Sequence, residues 1–177
     1  MYNLLFTNEK GSNLSEELLH DLIEHIDCTI GGYLVKAVKD KSNENIITFD
    51  LTSLYDGEEG NIFLEIDDFT GISKLNPSIL EVKGVEILRK SFASRELIIM
   101  DEIGYFEPKA PQFARDVFRI LDSNKVVLGI LEAKKCNYIN SVIAREDVII
   151  LKVTSDNLHQ VKEQALQLLK KWDVKIK

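Results

Sequence analysis

One stretch of this sequence decides the fold class: Glu96-Leu-Ile-Ile-Met-Asp-Glu-Ile-Gly104. Its four apolar residues, Leu97 to Met100, run without a polar break and end at the acidic pair Asp101-Glu102. A short apolar run that ends in charge, with a glycine just beyond it, is typical of a buried parallel strand. The acidic pair then lies at the carboxyl end of the strand, where open α/β sheets bind their ligands. Two interpretations of the pair stay open at this point: a nucleotide site, or a strand end with two solvated carboxylates.

The segments on either side alternate between strand and helix patterns. Residues 2–7 predict a first strand, and a polar loop separates it from a helix that begins at Leu14. Residues 125–131 and 148–153 predict further strands, and helix patterns start near Pro77, at Pro111 and after Asp156. This alternation predicts an α/β fold with a largely parallel sheet flanked by helices.

Additional β structure is predicted between the first helix and the helix near Pro77. Two strand patterns, at residues 33–38 and 46–51, are joined by the turn-like segment Asp40-Lys-Ser-Asn43. Residues 53–72 are rich in loop-forming residues and contain one short apolar piece at residues 62–64. We therefore interpret residues 32–72 as a small β-hairpin insertion with a mobile connection, within a single domain that spans residues 1–177.

Composition and charge limit the classes of function. The 177 residues carry a formal net charge of −7, and a nucleic-acid-binding face needs the opposite sign, so we expect no nucleic-acid partner. No stretch approaches the roughly 20 apolar residues of a membrane span, and the N-terminus has no signal-peptide pattern. Cys28 and Cys136 lie far apart and form no metal-binding spacing, which favours free thiols in a reducing compartment. We therefore expect a cytoplasmic protein without a membrane partner.

The loop after the first strand has the layout of a phosphate-binding loop but not its motif. In the pattern G-x-x-x-x-G-K-[ST], glycines let the backbone wrap the phosphates, the lysine reaches the β- and γ-phosphates, and the hydroxyl binds Mg²⁺. When Ser15 takes the hydroxyl position, the lysine position holds Leu14 and the glycine before it is Asn13. Asn8 replaces the first glycine, and only Gly11 and Ser15 fit a glycine-rich variant of the pattern.

These substitutions differ in their expected effect on phosphate binding. Asn8 tolerates left-handed backbone geometry and so can preserve the turn. Asn13 places a Cβ atom where the backbone has to approach the phosphates. Leu14 removes the only cation aimed at the γ-phosphate, and the loss of one charged hydrogen bond weakens binding by roughly 10- to 150-fold. The free N–H groups and the dipole at the start of the helix remain, with a smaller contribution.

Taken together, these motifs resemble those of the cancer-related nucleoside-triphosphatase family, small P-loop proteins of bacteria, archaea and animals. The resemblance covers most of the chain in order, and its most specific part is the central block. Its segments are the phosphate loop, Gly32-Tyr33, Phe49-Asp-Leu51, Leu97-Ile-Ile-Met-Asp-Glu-Ile-Gly104, Glu107-Pro-Lys-Ala-Pro-Gln-Phe113, Leu121-Asp-Ser-Asn-Lys-Val-Val-Leu128, Asp147-Val148 and the turn at Thr154. It implies the P-loop NTPase fold, an α/β sheet with a small β insertion, and Mg²⁺-dependent hydrolysis of ATP, GTP and other nucleoside triphosphates.

The resemblance also implies roles for individual residues. Asp101 matches the aspartate that associates with the metal, and Glu102 matches the catalytic acid that positions the attacking water. Ser15 matches the Mg²⁺ ligand of the loop. Members of the family carry a His-Arg-Arg-like segment after the strand at residues 126–130, where this chain has Glu132-Ala-Lys-Lys135. Lysine keeps the charge of arginine but lacks its planar fork, which suits bidentate contact with phosphate.

The candidate site therefore has a metal-binding part and a phosphate-binding part. Ser15 and Asp101 are the candidate Mg²⁺ ligands, and Glu102 is the candidate catalytic residue. The candidate nucleotide-binding residues are Asn8, Gly11, Asn13, Leu14, Ser15, Lys134 and Lys135.

Three functions remain open on the sequence alone. The first is a nucleotide-binding protein, with ATP or GTP as ligand, whose hydrolysis is weak or lost because the loop lysine is absent. The second is an active, divergent Mg²⁺-dependent NTPase in which Lys134 or Lys135 contacts the phosphates. The third is a non-catalytic scaffold on the same fold that binds a protein partner.

Overall fold

The computed structural model describes residues 2–104 and 106–177, which form one eight-stranded sheet with helices on both faces. The strands are β1 (Tyr2–Asn8), β2 (Ile30–Lys39), β3 (Ile46–Ser53), β4 (Ile62–Asp67), β5 (Ser73–Leu75), β6 (Leu97–Ile103), β7 (Val126–Leu131) and β8 (Val148–Val153). The α-helices are α1 (Leu14–His25), α2 (Pro77–Ile79), α3 (Val85–Ser94), α4 (Pro111–Leu121), α5 (Asn137–Ile143) and α6 (Leu158–Lys171). A π-helical turn (Leu80–Gly84) joins α2 to α3, and a 3-10 turn (Glu107–Lys109) precedes α4.

The strand order in the sheet is β5-β4-β3-β2-β6-β7-β1-β8. The five strands from β2 to β8 in this order pair in parallel. The predicted central strand is β6, and Leu97 to Met100 are fully buried between β2 and β7. The largely parallel α/β sheet expected from the sequence is therefore confirmed. None of the helices within residues 2–104 and 106–177 combines the length and the hydrophobicity that crossing a membrane requires.

The predicted β insertion extends the main sheet. β2 and β3 form an antiparallel hairpin, as expected, with Tyr33 opposite Ser53 and Lys39 opposite Ile47. β4 and β5 add two further antiparallel strands, so the short apolar piece at residues 62–64 is the start of a strand. The first half of β2 also pairs in parallel with β6. The antiparallel part of residues 32–72 therefore continues directly from the parallel part.

Two apolar clusters lie on opposite faces of the sheet because side chains alternate along each strand. One cluster contains the apolar sides of α1 and α6 together with Leu97 and Ile99 of β6. The other contains residues of α3 and α4 together with Ile98 and Met100 of β6. β6 thus contributes to both clusters. Asp101 and Glu102, which follow Met100, lie at the edge of the sheet where ligands bind in this class of fold.

The parallel pairing of β2 with β6 requires glycine at position 32. Gly32 has a φ of +94°, and a Cβ atom added there would lie 1.9 Å from the backbone oxygen of Ile99. A backbone oxygen in a parallel ladder cannot move aside without breaking the strand pairing. Gly32 is therefore a fold-determining residue of the Gly32-Tyr33 motif.

We predict that Gly32→Ala lowers the free energy of unfolding by about 2–4 kcal/mol, because the added methyl group collides with backbone. The matched control is Gly57→Ala. Gly57 has a φ of +77° but no atom within 4 Å of its added Cβ, so only backbone strain of about 1 kcal/mol applies. Urea denaturation measures both. Equal losses in the two variants would contradict the close approach of β2 and β6.

Candidate functional site

Three chain segments meet at the carboxyl edge of the parallel strands. They are the end of β1, the N-terminus of α1 and the end of β6. β7 is the one strand between β1 and β6, and it is parallel to both. The predicted phosphate loop and the predicted acidic pair are therefore brought to the same edge of the sheet, one strand apart.

The loop between β1 and α1 is an open turn. Gly11 is exposed, has a φ of +79°, and would meet no atom within 4 Å if it carried a Cβ. The N–H of Ser12 donates to the backbone oxygen of Glu9 at 3.0 Å. The hydroxyl of Ser12 accepts from the N–H of Leu14 at 3.2 Å, whereas the side chain of Asn13 makes no capping hydrogen bond.

The side chain of Asn8 caps the start of α1 from across the loop. Its Oδ1 accepts from the backbone N–H of Ser15 at 2.8 Å, and its Nδ2 donates to Oε2 of Glu16 at 2.8 Å. The first-turn N–H groups of a helix are the donors that bind phosphate in a phosphate-binding loop. One of those donors is therefore already bound by the chain itself, and a carboxylate lies beside it.

Ser15 and Leu14 have opposite environments at this helix start. Ser15 is fully buried, and its Oγ has no hydrogen-bond partner. A buried hydroxyl without a partner is unfavourable, and such atoms in native proteins call for a ligand or water as partner. Leu14 is half-buried and packs against the apolar cluster of α1 and α6. Leu14, at the position that holds lysine in the motif, thus packs against the hydrophobic core.

Asp101 lies buried at the end of β6, with 3% of its surface exposed. Its Oδ2 accepts from the backbone N–H of Val35 at 3.3 Å. Burial, with a smaller contribution from the nearby charge of Glu16, raises the pKa of Asp101 to about 7, although the hydrogen bond from Val35 acts in the opposite direction. Asp101 and Glu16 therefore lie close enough to repel each other, which links the end of β6 to the start of α1.

Glu102 belongs to a second group of carboxyl groups together with Glu107 and Glu132. Burial and, to a smaller extent, repulsion from Glu132 and then Asp101 together raise the pKa of Glu102 to about 8. Glu107 is 3% exposed, accepts from the N–H of Gly104 at 2.8 Å, and has a pKa raised by burial to about 7. The edge of the sheet is therefore strongly acidic.

The two candidate cations lie at the surface. Lys134 forms an ion pair with Glu132, with 3.0 Å between Nζ and Oε1, and 64% of its side chain is exposed. Lys135 is exposed as well. The charge of Lys134 is therefore partly compensated by a neighbouring carboxylate.

The donor set fits Mg²⁺ only together with a phosphate ligand. The orphaned hydroxyl of Ser15 and the carboxylate of Asp101 are both oxygen donors of the kind that Mg²⁺ binds, with waters and phosphate oxygens completing its shell. No cluster of three or more His, Cys, Asp or Glu residues that could hold a metal occurs within residues 2–104 and 106–177. A metal at this site thus depends on the oxygens of a bound ligand.

Three acidic residues of the site were not assigned to it by the sequence analysis: Glu16, Glu107 and Glu132. Glu16 directly follows the candidate hydroxyl Ser15, and Glu132 directly follows β7 at the same edge as Asp101. Both positions could have been selected from the order of elements alone. Glu107 lies in the turn that follows the acidic pair, and nothing in the sequence indicates that its side chain is buried.

We predict that the free energy of unfolding falls as the pH rises from about 5 to about 7. The folded protein holds protons on carboxyl groups whose pKa is raised by burial, and each such group contributes a slope of up to about 1.4 kcal/mol per pH unit. Glu107→Gln removes one of these groups while keeping the acceptor for Gly104. Urea denaturation at several pH values is expected to give a slope shallower by about 1 kcal/mol per pH unit.

The control for this series is Glu44→Gln, since Glu44 is exposed in the turn between β2 and β3. Its slope is expected to equal that of the unmodified protein. A Glu107→Gln variant with an unchanged slope would show that the carboxyl of Glu107 is not held protonated by the fold.

Two solved structures share this fold. The crystal structure of THEP1 from the hyperthermophile Aquifex aeolicus superposes with a TM-score of 0.77 at 20% identity, covering 96% of this chain and 99% of that one. The solution structure of a human cancer-related nucleoside triphosphatase gives a TM-score of 0.71 at 16% identity, covering 97% and 98%. These similarities confirm the P-loop NTPase-like fold.

Curated sequences and a family model give the same assignment. The nucleoside-triphosphatase THEP1 of Thermotoga maritima is 30% identical over 143 residues, which cover 79% of this chain and 80% of the relative. The THEP1 of Methanothermobacter thermautotrophicus is 24% identical over 170 residues, covering 94% and 95%. The model of the family described as NTPase matches residues 5–166. With a match over most of its length and the fold and strand-end site described above, this chain belongs to the NTPase family.

Proposed function

We propose that this chain binds nucleoside triphosphates together with Mg²⁺ at the loop between β1 and α1, and that it hydrolyses them slowly. The observation that carries the proposal is the hydroxyl of Ser15, which is fully buried at the N-terminus of a 12-residue helix and has no partner. Its relatives of 24–30% identity are named nucleoside-triphosphatases, which supports the same class of ligand.

Each residue of the site has a specific task in this proposal. The open turn at Gly11 and the free N–H groups of α1 receive the phosphates. Ser15 and Asp101 hold Mg²⁺, which, when bound, neutralises the negative charge of the phosphate groups. Glu102 orients the attacking water. Asn8 has to release the N–H of Ser15 before a phosphate oxygen can accept from it.

Slow hydrolysis follows from the charge around the phosphate position. Lysine is absent at position 14, and Glu16 adds a negative charge beside the first turn of α1. Lys134 is engaged by Glu132. Charge stabilisation by cations accounts for much of the rate in phosphoryl transfer, with an arginine contact contributing roughly 10³- to 10⁵-fold. A site with excess carboxylates therefore binds phosphate weakly and stabilises the transition state of phosphoryl transfer poorly.

The finer features of the proposal concern the ligand and the compartment. We propose ATP or GTP as the ligand, because the family is described by its action on nucleoside triphosphates. We also propose a cytoplasmic location, since Cys28 and Cys136 are both unpaired thiols in the structure.

Two other functions make different predictions for the same protein. An active NTPase would need Lys134 or Lys135 to leave the surface and contact the phosphates. A scaffold for a protein partner is favoured by the hydrogen bonds of Asn8, which already satisfy the N–H of Ser15 without any ligand. Both alternatives are separated from the proposal by measurements of nucleotide affinity and phosphate release.

We predict that Glu16→Gln tightens the binding of Mg²⁺-ATP by roughly 3- to 10-fold, because it removes a charge beside the phosphate position while keeping an acceptor for Asn8. Leu14→Lys is expected to tighten it by about tenfold or more, because it restores the missing cation. The matched control is Glu17→Gln, an exposed neighbour in the same helical turn whose affinity is expected to stay unchanged. Isothermal titration calorimetry with ATP and GTP, with and without Mg²⁺, measures the effect.

Phosphate release completes the test. Turnover is expected to be slow in the unmodified protein and lower still in Glu102→Gln. Fast turnover that is lost in Lys134→Ala would support the active alternative. No saturable binding, even in Leu14→Lys, would overturn the proposal and favour the scaffold.

A further inference from the structure

A cavity of about 230 Å³ lies inside the face of the sheet opposite to α1. Its walls come from the antiparallel strands, from the helical turn before α3 and from the start of α4, and include Leu51, Phe63, Leu80 and Phe113. These residues belong to the apolar cluster of α3 and α4, whereas α1 belongs to the cluster on the other face. No residue of the phosphate loop lines the cavity, although Glu102 and Lys134 of the candidate nucleotide site do.

The cavity is partly open to solvent, so a small molecule can enter it. An engineered apolar cavity of roughly 150 Å³ is large enough to hold benzene. A cavity of about 230 Å³ thus has room for one aromatic ring with a short substituent. Its aromatic walls, which include Tyr33, Phe49 and Phe106, suit a planar ring.

One end of this apolar cavity is acidic. Glu102, Glu107 and Glu132 line it, and Lys134 is the one cationic residue among the described lining residues. Lys134 pairs with Glu132, which leaves the lining with more carboxyl groups than cations. Carboxyl groups in an apolar surrounding are stabilised by a partner that brings positive charge or N–H donors. A cavity with aromatic walls and an acidic end is complementary to a cationic aromatic molecule.

We propose that this cavity is a second ligand site, distinct from the phosphate loop, that binds a small organic cation with a planar apolar body. The ring lies between the aromatic walls, and the cationic group, an amine or amidine, donates hydrogen bonds to the carboxyl groups of Glu107 and Glu132. A neutral amide of the same shape donates weaker hydrogen bonds and brings no charge, and anions are repelled by the carboxylate of Glu132.

The test uses three probes of nearly identical shape: benzamidine, benzamide and benzoate. Each is titrated into the full chain without nucleotide, and binding is followed by calorimetry and by chemical shifts of the cavity residues. Saturable binding of benzamidine is expected, about tenfold or more tighter than that of benzamide, because only in the benzamidine complex are donor and acceptor oppositely charged. Benzoate is expected not to bind.

Two variants locate the probe. Val35 lines the cavity from β2, and Val35→Phe is expected to fill it and weaken benzamidine binding by at least about tenfold. The matched control is Val38→Phe, because Val38 lies on the same strand but is 52% exposed and does not line the cavity. Glu132→Gln is expected to weaken benzamidine and leave benzamide unchanged, and it stays informative when Val35→Phe does not fold.

Several outcomes would overturn the proposal. Equal affinities for benzamidine and benzamide would show a purely apolar cavity. Absence of binding for all three probes would show that the cavity is not a ligand site. Benzamidine binding that survives both Val35→Phe and Glu132→Gln would place the probe elsewhere. Because no nucleotide is present in these titrations, none of these results depends on the function proposed for the loop.

Discussion

The N-terminus of α1 has to satisfy N–H groups that the helix itself cannot bond, and this constraint shapes the whole site. In a phosphate-binding loop a ligand accepts from these donors. Here Asn8 reaches across the loop to the N–H of Ser15 and holds the carboxylate of Glu16 in place. The helix start is thus closed by neutral and negative groups of the chain. Phosphate binding has to compete with an internal hydrogen bond and with an adjacent negative charge, and it does so without the help of a lysine.

The acidic character of the strand ends follows from the same arrangement. Asp101 interacts with Glu16, while Glu102 is influenced by the charges of Asp101 and Glu16 and also lines the cavity with Glu107 and Glu132. Carboxyl groups brought together in low-dielectric surroundings hold protons or recruit cations. The Mg²⁺ site and the organic-cation site that we propose would both follow from this one accumulation of carboxyl groups. The loop between β1 and α1 and the cavity belong to different apolar clusters, but Glu102 and Lys134 of the candidate nucleotide site also line the cavity.

Much of this structure could be predicted from the sequence because its signals are local. The apolar run before Asp101 identifies β6, and the alternation of patterns identifies the parallel sheet. Asn8 and Ser15, which form a hydrogen bond, lie on either side of the irregular loop at residues 9–13, and no sequence pattern encodes this contact. The inward direction of Glu107 and the cavity depend on how α4 packs against the antiparallel strands, which is a tertiary property. The motif alone predicts that Leu14 and Asn13 weaken phosphate binding. It does not indicate that Leu14 packs against the apolar cluster of α1 and α6.

The most direct test of this account is the response of the Asn8–Ser15 contact to nucleotide. Two-dimensional ¹H–¹⁵N spectra of the protein, recorded during titration with Mg²⁺-ATP, report the backbone amide of Ser15 and the side-chain amide of Asn8 separately. Both resonances are expected to shift together and to saturate with the affinity measured by calorimetry, because phosphate replaces Asn8 on the helix N-terminus. Saturable nucleotide binding that leaves both resonances unchanged would contradict the account, since the ligand would then lie away from the start of α1.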